Sequence, residues 1–174
     1  VRNATCHGVF LSGASTVTID GCDFDENGST VVPGPRLQHN LLLSHCRKVT
    51  IKESRFTTSP NGSGIAMDHS SDIDISNCEI ARNGYYGVVV MECKNISLTN
   101  SHIEANDRSG VMVEFLRDGS DKVIVSGNLI QYNNGYGVEM HAAKNSQSVN
   151  NRFYGNGKIA AQEKISSEKF IVME

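Results

Sequence analysis

At 174 residues and 39% hydrophobic content, the chain is long enough to bury a core as one domain. A formal net charge of −3 argues against nucleic-acid binding, which calls for a basic face, and no apolar run approaches the roughly 18–20 residues of a membrane span. Tryptophan is absent and only three prolines occur, a composition suited to short strands joined by tight polar turns. The chain opens Val1-Arg2-Asn3, without methionine or signal peptide and inside a repeat-like stretch. It reads as one domain over residues 1–174 that is a mature or excised piece of a longer protein.

Taken in order, Gly8, Asn40, Gly64, Gly87, Gly110 and Gly137 each precede an alternating apolar run, at steps of 32, 24, 23, 23 and 27 residues. The first strands align as GVFLSGA, NLLLSHC, GIAMDHS, GVVVMEC, GVMVEFL and GVEMHAA. The second align as VTIDGCDF, VTIKESRF, IDISNCEI, ISLTNSHI, VIVSGNLI and SQSVNNRF. A period of two inside a period near 23 marks a solenoid whose pieces are too short for helices. The expected fold is all-β, a right-handed single-stranded parallel β-helix of about six to seven coils. Stacked coils place equivalent residues about 4.8 Å apart. The inward columns then start with Val9, Leu41, Ile65, Val88, Val111 and Val138 and end with Phe24, Phe56, Ile80, Ile103, Ile130 and Phe153.

Three residues after the last column come Asn27, Ser59, Asn83, Asn106, Asn133 and Asn156, expected to form a hydrogen-bonded turn ladder with left-handed backbone. Five cysteines show no CxxC or metal spacing. Cys22 and Cys78 share a corner column with Ser54, Ser101, Asn128 and Asn151; Cys46 and Cys93 share another with Ala14, Ser70, Leu116 and Ala143. Both pairs read as buried free thiols. On the second strands, Asp20 and Asp23 stack against Lys52 and Arg55, which makes that basic cluster a partner for carboxylates. Insertions at Ser29 to His39 and around Arg117 to Ser120 both border the first-strand face. Ile159-Ala160-Ala161 begins an expected seventh coil, and the terminal EKISSEKFIVME ends in a short strand.

The outward first-strand positions carry the chemistry. One column, Phe10, Leu42, Ala66, Val89, Met112 and Glu139, is an apolar stripe, expected to be covered by a loop, a flanking domain or a homo-oligomer partner. The neighbouring columns supply Asp68, Glu114 and His141, and His45, His69 and Glu92. Asp68 and Glu114, two coils apart, suit the acid and base of glycoside hydrolysis. A histidine or tyrosine would serve a lyase or epimerase that removes the proton beside a uronate carboxylate. Tyr85, Tyr86 and Tyr136, at the corner before the strand, could stack on sugar rings or simply pack the corner. Ordinary solvated side chains remain the alternative for the whole face.

Laid out in this way, the chain resembles, from about Gly8 to Gly157, the parallel β-helix repeats of the pectate-lyase-like superfamily. That resemblance implies a carbohydrate-active domain of glycoside hydrolase, lyase or epimerase type, with a polysaccharide as partner. The alternative is a non-catalytic polysaccharide-binding or structural, oligomerising module. It also implies a secreted, periplasmic or cell-surface location. Calcium enters only through the resemblance, since no aspartate cluster here calls for it and no metal ligands are assigned. Tyr136-Gly137-Val138-Glu139-Met140-His141 is similar to the YGFDPH motif of mannuronan epimerases, with Glu for Asp and Met for Pro. The motif implies that Tyr136 and His141 are an acid/base pair and that Glu139 is the carboxylate of the site. The catalytic candidates are thus Asp68, Glu114, Tyr136, Glu139 and His141, and the substrate-binding candidates His45, His69, Tyr85, Tyr86 and Glu92.

Overall fold

The computed structural model describes residues 1–28, 37–114, 117–157 and 170–173. Within them the alternating runs form three parallel sheets that wind around one core. The first sheet stacks Val9–Ser12, Leu41–Ser44, Ile65–Asp68, Val88–Met91, Val111–Glu114, Val138–His141 and Phe170–Met173 in that order. The second stacks Ser15–Asp20, Arg47–Lys52, Ser71–Ser76, Lys94–Thr99 and Ser120–Ser126, which pairs with both Ala143–Lys144 and Gln147–Val149. Asp23–Asp25, Arg55–Thr57, Glu79–Ala81, His102–Glu104, Leu129–Gln131 and Arg152–Tyr154 make the third. The fold is the expected parallel β-helix. Among the described residues no helix is long and apolar enough to cross a membrane.

Registers keep each inward column intact, as in Leu41↔Ile65, Ile65↔Val88, Val88↔Val111 and Val111↔Val138. All five of these side chains are fully buried. Phe24 and Phe56 stack at 4.8 Å between ring centroids, so the core column is an aromatic and aliphatic pile that neighbouring coils close tightly.

The turn ladder is present, with one substitution that the alignment does not reveal. Each asparagine amide donates to the next side-chain carbonyl: Asn83 to Asn106 at 2.9 Å, Asn106 to Asn133 at 2.8 Å, and Asn133 to Asn156 at 2.9 Å. Where Ser59 cannot reach, Asn40 takes the rung, accepting from Asn27 at 2.8 Å and donating to Asn83 at 3.1 Å. Asn40 stands where other coils have glycine. At Gly64 a Cβ would lie 2.9 Å from the Asn83 amide nitrogen and 2.7 Å from Ile80 Cγ2, so a full-length rung and a side chain at that position exclude each other.

Several expectations at the corners are corrected. Left-handed backbone falls one residue ahead of the ladder, at Glu26, Thr58, Arg82, Ala105 and Tyr132, and not at the asparagines. Cys46, Cys78 and Cys93 are buried free thiols, but Cys22, at the more open N-terminal end, is exposed. Ser120, not Leu116, fills the Cys93 column: the Cys93 N–H donates to Ser120 Oγ at 3.0 Å, and Ser120 pairs with Ala143. The second insertion therefore ends before this corner, whereas the alignment places it after. As expected for the terminal segment, Phe170–Met173 forms a short strand, and it pairs with Val138–His141 as the seventh in the first sheet. Ile159 to Ala161 and most of Ser29 to His39 lie outside the described residues. Of the expected charge ladder, Lys52 pairs with Asp20 at 3.1 Å, while Arg55 pairs with Glu79 at 3.1 Å and Asp23 with Arg2 at 3.0 Å.

Candidate functional site

The outward face of the first sheet holds two polar clusters separated by an apolar patch. Ala66, Val89 and Met112 are buried in a cluster of their own, with Leu42, Tyr86 and Met91 packed against them. The middle of the stripe is thus not bare, while Phe10, at its start, is 55% exposed.

The first cluster lies at the C-terminal end of this patch. Glu139 and His141 are two residues apart on one strand and so point the same way. His141 Nε2 lies 2.9 Å from Glu139 Oε1. The other carboxylate oxygen, Oε2, accepts from the buried Ser109 hydroxyl at 2.7 Å, and Ser109 Oγ in turn accepts the Tyr136 N–H at 3.1 Å. Glu139 is held at both oxygens, and it fixes Nε2 of His141 as a proton-bearing nitrogen, leaving Nδ1 basic.

Tyr86 extends from the corner before Val88–Met91 toward this pair. Burial pushes its phenol well above the ordinary tyrosine range, and the neighbouring Tyr85 phenol and the Glu114 and Glu139 carboxylates push it further, with Arg108 opposing. The phenol therefore keeps its proton at neutral pH. Tyr85 meets Tyr86 edge-on at 4.5 Å, and the Arg108 guanidinium sits 5.3 Å from the centre of the Tyr85 ring. The result is a cation, two phenols, two carboxylates and an imidazole along one stretch of sheet.

The second cluster sits around Asp68, three strands along the first sheet from Val138–His141. Asp68 Oδ1 accepts from Ser44 Oγ at 2.8 Å and lies 3.3 Å from His69 Nδ1 and 3.8 Å from His45 Nδ1. Glu92 lies beyond it, and its carboxylate accepts the backbone N–H groups of Arg117, Asp118 and Gly119 at 2.8, 3.0 and 3.2 Å. That ties Glu92 to the inserted turn.

The structure thus brings together Tyr85, Tyr86, Glu114, Glu139 and His141 in one place, and His45, Asp68 and His69 in another. Asp68 and Glu114 face the same strand position, Met91, from opposite sides, which puts their backbones about 9–10 Å apart. Tyr136 reaches the cluster through its backbone N–H. Arg108 and Ser109 were not anticipated. The only sequence signal for Ser109 is its place just before Gly110, the position that Tyr86 and Tyr136 hold before their own glycines. Among the described residues no group of three or more His, Cys, Asp or Glu is arranged to hold a metal ion.

Three parallel sheets wound on one core, with acid, base and cation gathered on an outer face, define a β-solenoid with a candidate site on its first sheet. The chain belongs to the family described as the right-handed β-helix region, which matches residues 7–168. No curated protein matches it. Among solved structures it is similar to the A-module of a mannuronan C-5 epimerase from Azotobacter vinelandii, at 14% identity and a TM-score of 0.34, with 84% of this chain aligned to 51% of that one. The chain spans about half the length of that module. Two trypsin-treated variants of a plasmid-mediated fluoroquinolone resistance protein are more distant, at 12% and 10% identity and TM-scores of 0.26 and 0.20. They align with 80% and 79% of this chain and cover 73% and 91% of their own. Likenesses this weak carry no argument about activity.

Proposed function

We propose that the first-sheet face acts on an acidic polysaccharide by removing the proton next to a uronate carboxylate. The observation that carries this reading is the Ser109–Glu139–His141 chain of hydrogen bonds beside a proton-retaining Tyr86. His141 takes the C5 proton at Nδ1, and Glu139 stabilises the imidazolium that forms. Arg108 offsets the growing charge on the substrate carboxylate, and Tyr85 offers a flat face for a sugar ring. Tyr86 supplies a proton. In a lyase the proton goes to the C4 oxygen as the C4–O bond breaks and a C4–C5 double bond forms. In an epimerase it returns to C5 from the opposite side. Hydrolysis by Asp68 and Glu114 is less favoured, because Asp68 Oδ1 already serves Ser44 and lies against two histidines.

The test is a panel of alginate, pectin and glycosaminoglycans, read for reducing ends, unsaturated products and inverted uronates. With turnover on one polymer, His141→Ala and Tyr86→Phe are each expected to lower kcat by about 10²-fold or more. Activity undiminished in both variants would place the chemistry elsewhere. Binding with no turnover on any acidic polymer would make the face a binding module.

A further inference from the structure

His45 and His69 each follow the last residue of a first-sheet strand, with left-handed backbone at φ 55° and 45°. That conformation swings both rings off the sheet and onto the corner shared with the second sheet. There they stack almost parallel, with centroids 4.9 Å apart and planes 3° apart. His69 Nδ1 faces Asp68 Oδ1 at 3.3 Å, and His45 Nδ1 lies 3.0 Å from Ser44 Oγ and 3.8 Å from the same carboxylate oxygen, so both Nε2 edges turn away from Asp68. The rings line an open groove of about 410 Å³ with Gly13, Ser15, Arg47 and Ser71, a size within the range of small-ligand sites. None of the groove's lining residues is a carboxylate. Asp68 lies beneath the rings. Along the corner His69 also borders a second groove, lined by Glu92, Lys94, Arg117 and Asp118, where Glu92 is occupied by the backbone of the inserted turn.

We propose that this corner is an anion subsite, separate from the Glu139–His141 cluster. It would bind the carboxylate or sulfate of an acidic glycan between the Arg47 guanidinium and the His45–His69 pair, and take up a proton in doing so. The argument is one of charge. A single Asp68 carboxylate balances one imidazolium, while two stacked imidazolium rings 4.9 Å apart repel each other. An anion in the groove supplies the missing negative charge, so occupancy and the second protonation favour each other. Arg47 stays charged throughout and gives the site its selectivity for anions over neutral sugars. The subsite rests on the acidic-polysaccharide reading only for the source of its anion.

Binding of fluorescent oligogalacturonate, a sulfated oligosaccharide and neutral cellohexaose to the full chain tests it, at about pH 5.5 and about pH 8. Acidic probes are expected to bind at least tenfold tighter at the lower pH. Calorimetry in buffers of different ionisation enthalpy should show proton uptake. Arg47→Gln should weaken binding about tenfold, and the double variant His45→Asn/His69→Asn, which keeps residues suited to left-handed backbone, should remove the pH dependence. Arg47 is exposed, so its variant tests the site without disturbing the corner fold. Equal binding of cellohexaose, pH-independent binding, or undiminished binding in Arg47→Gln would each overturn the subsite. The proposed chemistry fails separately, through absence of turnover. A preference between the uronate and sulfated probes identifies the anion.

Discussion

His39 is buried at the corner before Asn40, stacked on His7 at 5.4 Å, and its Nδ1 accepts the Ser63 N–H at 3.0 Å. That acceptor role requires an unprotonated nitrogen. Burial, and secondarily the His7 charge, lower its pKa from 6.5 to about 4, and burial lowers that of His7 as well. An unfolded chain takes up this proton near pH 6.5, well before the folded one does. The stability contributed is therefore complete above pH 6.5 and is lost as the pH falls toward 4, amounting to about 3 kcal/mol. His39→Asn keeps an acceptor in nearly the same place and removes the titration. Urea midpoints measured across this range are expected to fall more steeply for the parent than for the variant. Parallel profiles would mean that His39 is not the linked group.

At the scale of elements, the asparagine ladder and the glycine column form one device. A rung from the third-sheet side leaves room only for glycine opposite, and Asn40 reverses the arrangement where Ser59 is short. Asn40→Gly should leave the Asn27 amide and the Asn83 carbonyl without these partners and cost about 1–3 kcal/mol in urea unfolding. Adding Ser59→Asn should recover part of the loss, less the bond from Ser59 Oγ to Gln38 O. A strictly additive double variant would show that the two positions do not share a rung. The same device marks what the sequence made legible. Inward columns and ladder repeat with the coil, so periodicity alone locates Ile65, Val88 and Asn106. Asn40 hides because it occupies a glycine's place. Arg108 and Ser109 hide because corner residues acquire partners only when coils stack, with Ser109 meeting Glu139 across 30 positions of sequence. Tyr86 and Tyr136 hold equivalent places before a glycine, so the motif around Glu139 pointed to Tyr136. In the fold, Tyr86 too lies close enough to Glu114 and Glu139 to feel their charge.

For the molecule as a whole, each coil touches mainly the coil before it and the coil after, so stability is close to a sum of neighbour terms. That predicts which large change the fold tolerates. Deleting residues 87–109 removes one full repeat, because Ile65 pairs with Val88 and Val88 with Val111 at the same step. Tyr86 then joins Gly110, Ile65 meets Val111, and Asn83 meets Asn133 in an unbroken ladder. The shortened chain is expected to keep a β-sheet circular dichroism spectrum and a cooperative melt, with somewhat lower stability. The chemistry proposed for the first sheet should vanish. Arg108 and Ser109 go with the coil, and Tyr85 and Tyr86 shift into their places, leaving Glu139 without its hydroxyl donor and the site without its cation. The His45–His69 corner lies outside the excised coil and should still bind acidic probes. An unfolded product would show that the coils depend on more than their nearest neighbours. A folded product with full turnover would remove Arg108 and Ser109 from the mechanism.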